Sequence, residues 1–160
     1  MSRSYPLLLL AAVALTGAAC GGSGDQIRVY DVTGQVLVDG KPAPLARVSF
    51  HPQGGDEKLQ KLRPIGECDL EGNFELTTYE HEDGAPPGDY KVTVVWKGPD
   101  PGTDPNANIN IEELNRGPDR LGEAYSDAAT TSLTATVEKG GGTLPPFELK
   151  SAPAAPPKRR

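Results

Sequence analysis

Hydrophobic side chains recur at every second position between Val29 and Leu149, and this spacing constrains the fold more than any other feature of the chain. It is the spacing of a β-strand that buries one face and exposes the other face to water. The clearest run covers residues 90–97, where Tyr, Val, Val and Trp alternate with Lys, Thr, Val and Lys. No stretch of the sequence sustains the period of a helix. We therefore predict an all-β domain in which residues 90–97 form a central strand.

Turn sequences divide this rhythm into separate strands. The run at residues 32–38 stops at a tight-turn sequence, Asp-Gly-Lys-Pro, so we predict a hairpin whose returning strand is residues 46–50. A second hairpin is expected to join residues 65–69 to residues 74–78 through a turn at 69–73. Two further strands, at residues 133–137 and Phe147–Leu149, raise the count to seven. Seven short strands with Pro- and Gly-rich turns indicate a two-sheet β-sandwich, which we place at residues 28–150.

A long polar segment at residues 98–131, with four prolines, separates the last two strands from the rest. It is much longer than an ordinary connection, so we expect an irregular loop that is functional or disordered. A single helical turn is expected inside it, with Asp119 as its cap and with Leu121 and Tyr125 on one face. The tail at residues 151–160 is rich in Pro and Ala, ends in Lys-Arg-Arg, and is expected to be disordered.

The first 19 residues have the layout of an export signal. Arg3 precedes an apolar run at residues 7–15, and the small residues Gly-Ala-Ala stand directly before Cys20. The apolar run is shorter than the roughly 20 residues that a membrane-spanning helix requires. We therefore predict a signal peptide at residues 1–19 that is removed after export.

The segment at residues 15–20 resembles a bacterial lipobox, in which the cysteine is acylated, for example with palmitate, and becomes the new N-terminus. We therefore expect lipidation of Cys20, a flexible spacer at residues 20–27 and a membrane anchor on the cell envelope, periplasmic or surface-exposed. Cleavage by ordinary signal peptidase after Ala19, which would release a soluble secreted protein, is the alternative.

Charge and cysteine content exclude some classes of function. The formal net charge of −6 disfavours a nucleic-acid partner, which would call for a basic surface. There are only two cysteines, and lipidation of Cys20 leaves Cys68 without an intramolecular partner. We expect Cys68 to be a small buried residue of a strand, with a reactive thiol as the alternative.

Five segments in a fixed order carry a resemblance to a known family. They are Val-Thr-Gly-Gln-Val at residues 32–36, Asp-Gly-Lys-Pro at 39–42, Val-Ser-Phe-His-Pro at 48–52, the turn from Asp69 to Phe74, and Pro-Gly-Asp-Tyr-Lys-Val at 87–92. Together they resemble the carboxypeptidase regulatory-like, transthyretin-like domains of bacterial envelope lipoproteins. The resemblance implies a seven-stranded sandwich of the Ig-like, prealbumin-like (carbohydrate-binding-like) type. It implies fold and location rather than a mechanism, because most members of that family have no assigned activity.

Few residues point to chemistry. His51 and His81 have no third ligand or catalytic partner at a recognisable spacing, so we predict no catalytic residues, no metal centre and no cofactor. Asp69, Glu71 and Asn73 alternate around a glycine and could place oxygen ligands on calcium, although a simple turn explains them equally.

The sequence thus leads to two main hypotheses about function, with an uncharacterised hydrolase as a third that would need a cleft with a converging acid, base and nucleophile. The first is a non-enzymatic envelope lipoprotein whose sandwich is a structural or interaction module, with the loop at residues 98–131 or a sheet edge as its contact surface. The second is a glycan-binding module that presents the rings of Tyr79 and Trp96 to a polysaccharide.

Overall fold

The computed structural model describes residues 26–98 and 117–152, and the secondary structure of these residues is almost entirely β. A single short helix, α1, accompanies nine strands in this part of the chain, and two of the strands have only two residues. The elements in chain order are β1 (Val32–Val38), β2 (Lys41–Pro42), β3 (Arg47–Pro52), α1 (Glu57–Gln60), β4 (Ile65–Glu67), β5 (Asn73–Glu75), β6 (Gly88–Val95), β7 (Thr134–Val137), β8 (Gly142–Thr143) and β9 (Phe147–Leu149). They form two sheets, an arrangement consistent with the predicted β-sandwich.

The first sheet is centred on β1. On one side β1 pairs antiparallel with β5 through residues 33–35 and with β2 through residues 37–38. On the other side β1 pairs in parallel with β8 and β9. Every second residue of β1 is buried, as the alternation predicts.

The second sheet has the order β4-β3-β6-β7, and all its pairs are antiparallel. β6 lies between β3 and β7, so the prediction that residues 90–97 form a central strand is confirmed for the part that lies in β6. β4 and β7 are the edge strands of this sheet.

Both predicted hairpins have the predicted turns, but their arms are largely divided between the two sheets. Asp39 and Gly40 form the first turn with φ values of 51° and 75°, but the returning strand of that hairpin is only β2. The chain then crosses to the second sheet, where β3 pairs with β4 and β6. The second hairpin is confirmed at its two ends, where Asp69 N donates to Asn73 O and Ile65 pairs with Thr77, although β4 belongs to the second sheet and β5 to the first. Alternation identifies the buried face of a strand but does not determine which strand pairs with it, so the pairing partners cannot be predicted from this pattern.

The two sides of the molecule differ. On one side an isolated bridge joins Ile65, the first residue of β4, to Thr77, which lies two residues after β5, so that the two sheets are joined there. We call this the closed side. On the opposite side β7 ends the second sheet and β8 and β9 end the first, and a groove separates them. We call this the open side.

The core is a cluster of aliphatic side chains around four aromatic rings. Ring centroids of Phe50 lie 6.3 Å from Phe74, 5.6 Å from Tyr90 and 6.3 Å from Phe147. Gly34 lies opposite Phe74 in β1, and a Cβ at that position would overlap the Phe74 ring. Gly34 is therefore needed for packing of this ring.

Several predicted segments lie wholly or partly outside the described residues: the signal peptide at 1–19, Cys20, the spacer as far as residue 25, residues 99–116 of the long connection, and the tail from residue 153. Residues 117–131 of that connection form consecutive turns instead of a helix. Asp119 caps them as expected, since its carboxylate accepts hydrogen bonds from the N–H groups of Leu121 and Glu123. Within residues 26–98 and 117–152, no helical segment has the length and apolarity needed to cross a membrane.

Candidate functional site

The open side carries a groove between the two sheets. A groove of about 410 Å³ runs between β7 and the segment that leads into β9, and we call it the edge groove. A smaller cavity of about 190 Å³ continues it past the end of β7. The edge groove is lined by Thr134, Ala135, Thr136, Leu144, Pro145, Pro146 and Phe147. Five of these seven residues are apolar, so the groove can take side chains of an added segment.

The outer edge of β7 offers free backbone groups. Val92 N donates to Leu133 O, and this pairing continues to Ala135 opposite Tyr90, so Leu133 and Ala135 direct their N–H and C=O groups at β6. Because these groups alternate sides along an antiparallel strand, those of Thr134 and Thr136 point away from the sheet. Within the described residues no strand pairs with this outer edge.

The two edge strands of the open side are not equally protected. Pro145 and Pro146 directly precede β9, and a proline cannot donate a backbone hydrogen bond to an added strand. β7 has the sequence Thr-Ala-Thr-Val, with neither proline nor charge, although proteins commonly use such residues to block an exposed edge. β7 is therefore the edge at which another strand can be added.

Opposite charges flank the two ends of β7. Asp89 lies opposite Thr136, whose Oγ1 donates to Asp89 Oδ1 over 2.7 Å, and this contact holds the carboxylate over the edge strand. Glu138 follows the same end and is exposed. Lys91 lies opposite Thr134 at the other end, where its Nζ donates to the carbonyl oxygen of Thr131 over 3.0 Å.

The two aromatic residues suggested for glycan contact are not brought together. Trp96 follows the C-terminal end of β6, where its Nε1 donates to Pro44 O and the Arg120 guanidinium lies 4.8 Å from the ring centroid. Tyr79 lies toward the opposite end of the molecule, where its hydroxyl accepts a hydrogen bond from Ile27 N. One face of the half-buried Trp96 ring is thus covered by a cation. Glycan binding stays a prediction, and these two rings do not form a common platform.

The turn suggested for calcium uses its carboxylate internally. Asp69 Oδ1 accepts hydrogen bonds from the N–H groups of Glu71 and Asn73, at 2.9 and 2.8 Å, and Oδ2 accepts from the Asn73 side-chain amide. Desolvation raises the pKa of Asp69, but the hydrogen bonds from Asn73, Glu71 and Gly72 outweigh it and leave the pKa below its usual range. The three residues are close together as a turn, with the Asp69 oxygens directed at N–H donors.

The two histidines lie apart from the edge groove. His51 Nε2 is 3.0 Å from Thr93 Oγ1 on the outer face of the second sheet, and burial, with a contribution from the Arg63 charge, lowers the pKa of His51. His81 is exposed beside Glu82. Within residues 26–98 and 117–152, no three His, Cys, Asp or Glu side chains are placed to hold a metal ion.

Sequence reasoning named a sheet edge as a contact surface without identifying which one. The signal was present in the contrast between the unprotected Thr-Ala-Thr-Val segment and the Pro-Pro pair before residue 147. It could not be used, because the sequence does not tell which strands lie at an edge or on the same side.

Comparisons with known proteins add little. No family model matches the chain, and no curated protein matches it. A solved structure of a DUF3823 family protein from Parabacteroides merdae is similar over 80% of this chain, with 16% sequence identity and a TM-score of 0.38. The match spans 48% of that protein, so this chain corresponds to about half of its length. A similarity of this size supports no inference about fold or function.

Proposed function

We propose that this protein is a non-enzymatic lipoprotein of the bacterial cell envelope whose domain, a seven-stranded carboxypeptidase regulatory-like sandwich, serves as an interaction module. Its contact surface is the outer edge of β7 together with the edge groove. The observation that carries this proposal is the pair of outward-facing backbone positions, Thr134 and Thr136, beside an apolar groove. Exposed sheet edges of this kind bind extended segments by adding a strand.

The proposed anchor is compatible with the position at which the chain joins the domain. Ile27 N is bonded to Tyr79, and Tyr30 pairs with Ala85, so the chain is fixed to the domain from residue 27 onward. The seven residue steps from Cys20 to Ile27 span at most about 25 Å at about 3.5 Å per residue. A lipid on Cys20 would therefore hold the domain near the membrane surface.

The anchor is tested by intact-mass analysis of the protein extracted from membranes. We expect the wild type to begin at Cys20 and to carry acyl chains, and the Cys20→Ala variant to lack them and to leave the membrane fraction. A wild-type mass without acyl groups would refute the lipoprotein assignment.

The contact surface is tested in intact cells with a photo-crosslinking amino acid at single positions. We expect the crosslinker at Thr136 to capture a partner, which mass spectrometry then identifies. The matched control is Glu67, an exposed residue of β4 on the closed side. Equal capture at both positions, or none at Thr136, would contradict an interaction through β7.

A further inference from the structure

We infer that the occupant of the β7 edge is an extended segment of another protein, added antiparallel, with a basic side chain opposite Thr136 and aliphatic side chains facing the edge groove. This inference rests on the proposed function and specifies the chemistry of its partner. It depends on three properties of the open side: the direction of its backbone groups, the shape of its groove and the placement of its charges.

The backbone groups set the register of the added strand. Thr134 and Thr136 each present one N–H and one C=O outward, so each can exchange two hydrogen bonds with the residue directly opposite. Every pair of the second sheet is antiparallel, and an antiparallel addition continues that pattern. The residues opposite Thr134 and Thr136 then carry their side chains on the outer face, next to the two threonines.

The intervening residues of the added strand face the groove. Side chains opposite Ala135 and Val137 point to the core side of the sheet, where Leu144 and Pro145 form the other wall. Ala135 is small, so it leaves the space above it open. A groove of about 410 Å³ is many times the roughly 30 Å³ that one water molecule occupies in the liquid. It therefore accommodates aliphatic side chains from more than one residue.

The charged side chains beside β7 determine which residues are favoured on the outer face of the added strand. The Asp89 carboxylate is held over Thr136, and an added strand lies only about 4.8 Å farther out. A Lys or Arg opposite Thr136 would reach this carboxylate, and Glu138 at the same end of β7 adds a second acidic group. Lys139 lies beyond it, in the turn after β7. At the other end Lys91 favours an acidic residue opposite Thr134.

A second copy of this chain fits the edge less well. If β7 paired antiparallel with its own copy around Ala135, each Thr136 would face a Thr134. That pairing satisfies the backbone and aligns Lys91 of the copy with Asp89, but both edge strands lie between these two charges, so no cation stands directly opposite Thr136. Charge complementarity therefore favours a partner with a basic residue at this position.

The inference is tested with two labelled peptides. The first, Thr-Lys-Val-Lys-Val-Glu-Thr, places lysines opposite Thr136 and Glu138, valines toward the groove and glutamate opposite Thr134. The second, Thr-Glu-Val-Glu-Val-Lys-Thr, reverses every charge and keeps the valines. The complete chain, purified in detergent, is titrated into each peptide, and fluorescence anisotropy reports binding. We expect the first peptide to bind roughly fivefold or more tightly than the second, the scale of a few exposed ion pairs.

Two variants separate the backbone from the charge. Thr136→Pro removes an outward N–H while leaving the groups that face β6, so it should abolish binding of both peptides with an unchanged circular dichroism spectrum. Asp89→Asn retains an oxygen for the Thr136 hydroxyl, so it should preserve binding and reduce the difference between the peptides. Ala135→Pro is the control for which backbone groups face outward: since the N–H of Ala135 faces β6, this variant should disturb pairing with β6 and destabilise the domain.

The inference fails if neither peptide binds, if both bind equally, or if Thr136→Pro binds as the wild type does. Sedimentation without peptide provides one more outcome. A dimer that Thr136→Pro dissociates would make the occupant a second copy and overturn the inference. If crosslinks from Thr136 persist in cells while the peptides fail, the proposed function stands and only the chemistry of the partner is wrong.

Discussion

Cys68 follows β4 with its side chain against the core, where only 2% of the residue is exposed. Burial, reinforced by the charges of Asp69 and Glu67, raises the pKa of its thiol to about 12. Because the thiolate is the reactive form, the folded protein keeps this cysteine inert. The expectation of a small buried residue in this region, rather than a reactive thiol, agrees with that position.

A thiol reagent provides the measurement. We expect Cys68 to remain unlabelled by a maleimide in native buffer at neutral pH and to be labelled completely in denaturant. Cys20→Ala protein is used, so that Cys68 is the only cysteine. Rapid labelling of the native protein would show that the residue is not enclosed as described.

Gly34 is the position at which one added methyl group should matter most. A Cβ there would collide with the ring of Phe74, which in turn packs on Phe50 and Phe147. We expect Gly34→Ala to destabilise the domain by about 1–3 kcal/mol through overpacking, measured by urea unfolding.

The collision itself is tested with Phe74→Leu. If the ring causes the loss, Gly34→Ala should cost less in the Phe74→Leu background than in the wild type, because the two effects are not additive for residues in contact. An equal cost in both backgrounds would point to the backbone of β1 instead.

At the scale of elements, the turn between β4 and β5 depends on Asp69, which collects three hydrogen bonds from residues 71 and 73. Asp69→Ala should lower the melting temperature, and Asp69→Asn should lower it less, since the amide oxygen can still accept. Calcium or a chelator should leave the melting temperature of the wild type unchanged, because a bound ion would have to displace these donors. A rise in melting temperature with calcium would contradict this account and support the calcium site suggested for this turn.

Strands and their partners were not equally predictable. Alternation in residues 32–38 and 90–97 predicted which face of each strand is buried, and β1 and β6 bury those faces. The partner of residues 46–50 was missed, because Phe50 needs a hydrophobic neighbour and either sheet could supply one. The helix α1 was missed too. It is one turn long, too short for a helical period, and it depends on Asp56 capping Leu59 N.

For the molecule as a whole, titrating groups give the stability a characteristic dependence on pH. Burial lowers the pKa of His51 below its ordinary 6.5, so the unfolded chain binds this proton first and stability declines as pH falls below that value. The pKa of Asp39 is lowered, chiefly by the side-chain hydrogen bond from Ser151, and that of Asp69 is lowered too. The stability that these two carboxylates contribute is lost as the pH falls below 3.8, the ordinary pKa, and through their lower pKa values in the folded protein.

The alkaline side has the opposite sign for its groups. Burial raises the pKa of Cys68 from 9.0 to about 12 and that of Tyr90 from 10.0 to about 12. The unfolded chain releases these protons first, so stability should fall from about pH 9 upward. We expect a plateau between roughly pH 6.5 and 9, measured by denaturant unfolding across pH. In Cys68→Ala the alkaline decline should begin about one pH unit later, and an unchanged onset would contradict this account.

The candidate site was within reach of the sequence only in part. The alternation around Thr134 and Thr136 predicted a strand, and the prolines at 145 and 146 were visible. That this strand ends a sheet, and that residues 144–147 face it across a groove, depends on contacts between segments about ten residues apart in different sheets. Periodicity carries no information about such contacts.

Among residues 26–98 and 117–152, the bridge between Ile65 and Thr77 joins the two sheets along one border, and no such bridge joins them along the opposite border. Thermal fluctuations that separate the layers should therefore begin at the border without such a fastening, where Val137 and Phe147 are the first core residues that water can reach. A ligand strand paired with β7 would cover that border, so its binding would also slow the fluctuations that separate the two sheets.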